Sequence, residues 1–355
     1  MVIPAFARAQ AVAAVSQTFK ARVVQVVDEK TVIVDDETVI QHNLKLIGLT
    51  GNLKNKEFFV DEIGQPATGG RNVYKTGNEV IVQQAFDENG TAVYEITDYV
   101  RTAKVLWLVA AFVISLLIVG RWKGLRSILS LVLTFLVLIK YVVPQILDGA
   151  DPIIVTVIGS FVVLLIIIYL TEGFNATAHA SVVSIFISLV LTVFLSWLFV
   201  GLTNLSGLAS EEASFIVGLG VGSLNLRGIL LAGIIIGALG VLDDVAISQV
   251  AAVSAIYGAN QSQTKKEIWR KAMKVGVSHI SSMSNTLFLA YAGASLPLLI
   301  LFVSGQSAFT SWDIAINNEM LATEIVRTLA GSIGLIFTVP IATLMAIAML
   351  TNKKS

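Results

Sequence analysis

Hydrophobic and polar positions follow two different periods along this chain. From Phe19 to Tyr99 they alternate with a period of two, the mark of strands with one buried face. Ala21–Val27 and Thr31–Val34, separated by Asp28-Glu29-Lys30, predict two strands and a tight turn. Lys45–Leu49 and Glu57–Val60 predict further short strands, with Gly51-Asn52 and Gly69-Gly70 as breakers. The clearest hairpin joins Glu79–Phe86 to Thr91–Ile96 through Asp87-Glu88-Asn89-Gly90, where Gly90 can take positive φ. Five to six short strands within about 80 residues predict a small all-β domain, an OB-like barrel. Its aromatic residues, Phe58, Phe59, Tyr74, Phe86 and Tyr94, fall at strand spacing and read as core packing rather than a ligand platform.

Beyond Arg101 the alternation gives way to long apolar runs. They are Val105–Gly120, Leu125–Val143 ended by Pro144, Ile153–Leu170 after Asp151-Pro152, and Ala178–Leu202. Gly228 to about Tyr257, about Ser281 to Val303, and Glu324–Met349 complete the series. Each is near the roughly 20 residues needed to cross about 30 Å of hydrocarbon. The pattern predicts an α-helical polytopic membrane protein of about seven transmembrane helices behind the β domain. Two pieces fit less simply. Phe215–Leu224 is apolar, glycine-rich and too short, so it is expected to be re-entrant or to lie on the outer surface. Gln263–Lys274 places Ile268, Trp269, Ala272 and Met273 on one face and mostly lysine and arginine on the other. It reads either as an interfacial amphipathic helix or as a basic loop that fixes topology.

Composition sharpens this picture. Only 14% of the 355 residues are charged, against about 25% in soluble domains. The formal net charge is zero, which gives no case for nucleic acid as a partner. The chain has no cysteine, so disulfides, thiolate catalysis and cysteine metal sites are excluded. Lysine and arginine cluster in Arg121–Arg126, in Lys265–Lys274 and at Lys353-Lys354, whereas the opposite loops are neutral or acidic. The positive-inside rule then puts the β domain outside and the C-terminus in the cytoplasm. Residues 1–10 end in small-residue patterns like a signal-peptidase region, without the apolar stretch that should precede them. They read equally as a signal-peptide remnant or as a polar leader. The expected domains are a leader at 1–18, an extracytoplasmic β domain at 19–100 and a transmembrane helical domain at 101–355.

Candidate chemistry concentrates in the fifth and sixth apolar runs. Asp243 and Asp244 interrupt a helix of membrane length, where an ionisable group marks function by default. Gly233, Gly237 and Gly240 form a small-residue ridge suited to close helix packing. Helical spacing continues that ridge through Asp244 and Ser248 and leaves Asp243 toward its edge. The sixth run offers Ser281 and Asn285 on one face and His279 on a neighbouring one. Counting inward from the basic link, Asp244 and Asn285 reach similar depth. Serines there read first as interhelical glue, the aspartates as coupling groups. Glu324 and Arg327, one turn apart in the last run, can pair locally. Signatures of hydrolases and phosphate loops are missing, so no enzyme, cofactor or metal site is expected.

Several stretches resemble the YibE/F family of bacterial multispan proteins. They are Tyr94–Arg101, Thr171-Glu172-Gly173-Phe174-Asn175, GALGVLDDVAISQ at 237–249, SMSNTLFLAYAGASLPLLILF at 282–302 and EIVRTLAGSIGLIFTVPIATL at 324–344. The chain departs at Ser278, where that family commonly has an acid. The resemblance implies a bacterial cytoplasmic membrane and marks Glu172 as a secondary polar position. A remoter likeness, a span running into acids followed by a basic helix and a span with an Asn-Thr pair, is to SecD/SecF and RND-type permeases. It makes a proton- or ion-coupled transporter or export-assisting permease the leading expectation, with unknown substrate. The alternative is a non-transporting scaffold or sensor whose outer β domain binds a partner. Expected partners are the lipid bilayer and a homo-oligomer or related membrane subunit.

Overall fold

The computed structural model describes residues 17–34, 37–61, 63, 73–86, 90–209, 211–218, 224–304 and 311–351. Of the expected leader, residues 1–16 lie outside these, while Gln17 and Thr18 already pair with Gln84 and Gln83. Asp35-Asp36, Gly69-Gly70 and most of the loop around 87–89 also lie outside them. The chain divides into two compact units between Ile114 and Ser115.

The first unit carries β1 (Gln17–Val34), β2 (Glu37–Gly48), β3 (Glu57–Asp61), β4 (Glu79–Phe86) and β5 (Ala92–Tyr99). They form one antiparallel sheet in the order β3-β2-β1-β4-β5, and β3 approaches β5, so the sheet curls on itself. The expected break at Asp28-Glu29-Lys30 does not occur. These residues stay in the ladder opposite Asn43, His42 and Gln41, and β1 is one long strand. Two register shifts, at Val23/Gln25 and Val26/Asp28, absorb the irregular alternation that resembled a turn. The β4–β5 hairpin matches its expected limits closely, and Gly90 has φ +77°. Phe19, Val23, Leu44, Leu46, Phe58, Val80 and Val82 are buried together. Phe58 and Tyr74 are core residues as expected and Tyr94 packs against them, but Phe59 and Phe86 are exposed.

In the second unit a helix, α1 (Thr102–Val137), is continued from the first and broken at Arg121, whose φ of 47° and ψ of −125° leave helical geometry. A Cβ added to Gly124 would fall 2.1 Å from the carbonyl oxygen of Leu116. Eight residues along an uninterrupted helix span roughly 12 Å, so the chain doubles back here. A π turn (Leu138–Val142) leads into α2 (Val143–Leu147). Asp151 caps α3 (Pro152–Thr171) by accepting from the amides of Ile153 and Ile154, with Pro152 at the first helical position. The TEGFN segment is the turn that follows. Gly173 has φ +79°, and Asn175 caps α4 (Ala176–Leu202) by accepting from Ala178.

The remaining elements are α5 (Glu211–Gly218), α6 (Leu226–Ala259), α7 (Lys265–Ala294), α8 (Leu296–Ser304), α9 (Trp312–Asn317) and α10 (Glu319–Leu350). Helices α4, α6 and α10 pack mutually, α3 flanks α6, and α7 lies against α10 and α6. Among the described residues five helical stretches are long and apolar enough to cross a membrane. They become six when α7 and α8, bent by 68° to each other, count as one. The basic segment at 263–274 is not a separate helix. A capping box at Thr264 and Glu267 starts α7 there, and Ile268 and Ala272 are fully buried in the bundle rather than turned to a surface. Part of 215–224 is helical in α5, and 219–223 lie outside the described residues.

The core of this bundle is made of small and hydroxylated residues. On α4, Ser181, Ser184, Ser188, Thr192 and Ser196 are buried at three- and four-residue spacing. Ser184, Ser188 and Thr192 each donate to the carbonyl four residues back, at 2.6, 2.9 and 2.8 Å. Their hydroxyls are thereby satisfied within one helix, and the short side chains let neighbouring backbones approach. Gly334 of α10 sits against this stripe so closely that an added Cβ would lie 2.0 Å from Thr192 Oγ1. Glu319 ties the start of α10 to the loop after α4, accepting from Ser206 N and Oγ and from Gly207 N at 2.6, 2.8 and 3.1 Å.

Two outcomes follow from this packing. Gly334→Val is expected to lower the unfolding temperature of the detergent-solubilised protein, overpacking of this kind costing about 1–3 kcal/mol. An unchanged melting curve would refute the close α4–α10 contact. In the β unit, His42 is fully buried beside Tyr74, and burial holds its imidazole below the ordinary 6.5, with Glu29 acting weakly in the opposite sense. Below 6.5 the unfolded chain takes up a proton that the folded unit resists, so stability is highest above that pH and falls as pH drops through the window. Hydrogen exchange of β2 amides, corrected for intrinsic rates, is expected to be faster at about pH 5 than at about pH 7.5, and His42→Phe should flatten the dependence.

Candidate functional site

Helix α6 is capped by Asn225, which accepts from the amide of Gly228 at 2.9 Å, and runs unbroken through both aspartates. Successive residues on a helix are turned by about 100°, so two adjacent acids cannot share a face. Asp243 is buried at 8% exposure, flanked along the helix by buried Leu242, Ala246 and Val250. Asp244 lies on the exposed side. The expectation that Asp243 stood at the edge is corrected: it points into the bundle. Its Oδ1 accepts from the backbone amide of Asp244 at 2.9 Å, and no described cation pairs with either acid.

The glycine ridge is also placed differently. Gly233, Gly237, Gly240, Asp244 and Ser248 do share one face, but that face is open. A Cβ added to Gly233 or Gly240 would meet nothing within 4 Å, and one on Gly237 would meet Tyr291 Oη at 3.1 Å. Of these glycines only Gly237 meets α7, at Tyr291, so the ridge as a whole is not a packing seam. The close helix contacts lie instead on the α4–α10 faces described above.

Helix α7 touches α6 at two anchors, Tyr291 beside Gly237 and a buried node around Gln249. Interpolated between those anchors, Asp244 stands level with the turn at Ile280–Ser282. Asn285 and Ser281 are nevertheless exposed, as is Ser248, and no hydrogen bond joins them to Asp244. His279 is half-buried. The structure thus leaves Asp244 and Asn285 both exposed and joins them by no described hydrogen bond, so the expected pairing of the two is not seen.

Gln249 was not singled out by the sequence reading. Fully buried, it donates from Nε2 to Ala272 O at 3.0 Å and to Thr343 Oγ1 at 2.8 Å, joining α6, α7 and α10. Thr343 in turn donates to Val339 O at 2.8 Å. Gly276 is essential to this node, since an added Cβ would lie 2.3 Å from Val339 and 2.9 Å from Gln249 Oε1. A glutamine five residues after an aspartate in a membrane-length helix was the available signal.

The secondary polar residues occupy two other places. Glu172 meets Lys123 at 3.5 Å, tying the α3–α4 turn to the turn of the α1 hairpin. Glu324 Oε1 lies 2.9 Å from Arg327 Nη1, the expected local ion pair. This pair lines a cavity of about 770 Å³ formed by α5, the start of α6, the α7–α8 bend and the start of α10. Gly233 lines the same cavity, so the open face of α6 begins in it and descends to Asp244.

Comparison with known proteins adds the family. No curated protein and no solved structure matches the chain. A family profile described as YibE/F-like protein matches residues 108–352. That match takes in α2 to α10 and most of α1, and with them the two aspartates, the open face and the cavity, and by it the chain belongs to the YibE/F-like family.

Proposed function

We propose that the chain is a membrane carrier, or an export-assisting permease, in which Asp243 and Asp244 couple solute movement to a proton or another ion. Seven crossings follow if the α1 hairpin counts as two and α7 with α8 as one. The basic turn at Arg121–Arg126 and the basic start of α7 then face the cytoplasm, and the β unit lies outside. The observation that carries the reading is the unfilled face of α6. A row of glycines met only by the hydroxyl of Tyr291 at Gly237 and open at Gly233 and Gly240, leading from a cavity to a carboxylate, suits a passage better than a packing seam. One acid beside the passage and its neighbour in the bundle supply two differently hydrated carboxylates on one helix.

The test compares solute and metal accumulation in deletion cells complemented with wild type and with variants of equal membrane abundance. Asp244→Asn keeps shape and hydrogen bonding but removes the charge, and is expected to reduce the wild-type accumulation difference at least about tenfold. Gly240→Leu places bulk in the passage without a clash in the core, and is expected to abolish that difference while leaving the unfolding temperature near wild type. Full accumulation in both variants would sink the carrier reading and favour a scaffold whose outer unit binds a partner. Protease added to intact spheroplasts should also cut the β unit, and protection there would reverse the orientation.

A further inference from the structure

The cavity at the start of α10 contains hydrogen-bonding capacity that no described residue uses. Arg327 and Thr323 are one turn apart on α10 and both line it. A guanidinium offers five N–H donors, yet only Nη1 of Arg327 is engaged, by Glu324. Arg327 Nε is shielded from solvent and has no partner, and neither has Thr323 Oγ1 on a residue only 6% exposed. The second oxygen of Glu324 makes no bond to a described residue either. Opposite this polar corner the wall is apolar, formed by Ile216, Ile229, Leu230, Leu298 and Leu301.

We infer that this cavity is a binding site for a zwitterionic amphipath, its anionic group on the Arg327 guanidinium beside Thr323, its cationic group on the free oxygen of Glu324, and its apolar body against α5, α6 and α8. The charges select that class. Arg327 is already balanced by Glu324, and Glu212 also lines the cavity, so the lining has no positive excess to hold a simple anion. A simple cation would leave the arginine and threonine donors unmade. A volume of about 770 Å³ lies within the range of small-ligand pockets and accommodates a head group with a short apolar body. A free solute such as an apolar dipeptide and the head-group end of a zwitterionic lipid share this chemistry. Binding is argued from the cavity alone; that the bound molecule is the cargo rests on the carrier reading.

The full chain, purified in a maltoside detergent that carries no charge, is titrated by calorimetry with four probes. These are leucyl-leucine, hexylphosphocholine, decanoate and decyltrimethylammonium. At least one zwitterion is expected to bind, and at least about tenfold more tightly than either singly charged probe. Preference for the dipeptide assigns the site to a free solute, and preference for the phosphocholine to a lipid head group. Arg327→Gln and Thr323→Val should each weaken the zwitterion, and Leu298→Trp, which fills the cavity from its apolar side, should remove binding. Unfolding temperature identifies any variant that fails to fold, and Thr323→Val, a near-isosteric change, keeps the test open if the others do. Absence of zwitterion binding, equal binding of the singly charged probes, or unchanged affinity in Leu298→Trp and Thr323→Val would overturn the site. Asp244→Asn and Gly240→Leu lie outside the cavity lining and should bind the probe normally even where accumulation is lost, so failure of the site and failure of the carrier reading give different results.

Discussion

Close approach of helix backbones is the constraint on which the rest of the helical unit depends. In apolar surroundings there is little hydrophobic gain from bringing helices together, so association relies on van der Waals contact and internally satisfied polar groups. The α4 stripe of serines and threonine meets this requirement because each hydroxyl of Ser184, Ser188 and Thr192 bonds its own helix. Gly334 then removes the last atom that would hold α10 away from Thr192. Helix α6 completes the trio with large buried residues, Ile234, Ile235, Leu239 and Leu242. A closely packed three-helix core results, and α6 retains a largely open side that Tyr291 of α7 meets at Gly237.

Helix α7 is attached to that core unevenly. Its first turns are locked by Ile268, Ala272 and Gly276 and by the Gln249–Thr343 node. Farther along, Ser281, Ser282, Asn285 and Thr286 are exposed, and Leu287 is the next buried side chain. The helix is thus held near both ends, by this node and by Tyr291 beside Gly237 and Leu287 beside Gly331, with an open middle between them. The bend of 68° to α8 lies beyond the open middle, where the cavity begins.

Long apolar runs made most helices legible in the sequence, because length and composition alone decide whether a helix suits hydrocarbon. Pro152 after Asp151 and Asn175 after Gly173 fixed two boundaries by ordinary capping chemistry. The strand break at Asp28-Glu29-Lys30 was misread because three charged residues in a row look like a turn, whereas a long partner strand and two bulges keep them paired. The glycine ridge was read as a seam because small residues usually mark contact. Residue type cannot distinguish a face that is filled from one left open. The true seam was written as serine and threonine spaced by four in α4, inside a run so apolar that its polar positions drew no notice. Gln249 was overlooked for a similar reason, standing beside two acids that claimed the chemistry of that segment.

The orientation of the two aspartates shows why their adjacency matters more than their number. Acids four residues apart would share a face and meet the same surroundings, whereas neighbours separated by about 100° must face different ones. Here one carboxyl lies in the bundle and the other on the open flank, and a single peptide links them. The bond from the Asp244 amide to Asp243 Oδ1 supplies the buried group with a donor that does not depend on water or on another helix. Nothing described on α7 holds Asp243 by a hydrogen bond or ion pair. Asp244 has no such bond, and on the carrier reading it meets whatever occupies the passage. On the carrier reading, a helix built in this way keeps its inner acid fixed and presents its outer acid to the passage, the division of roles that coupling one movement to another requires.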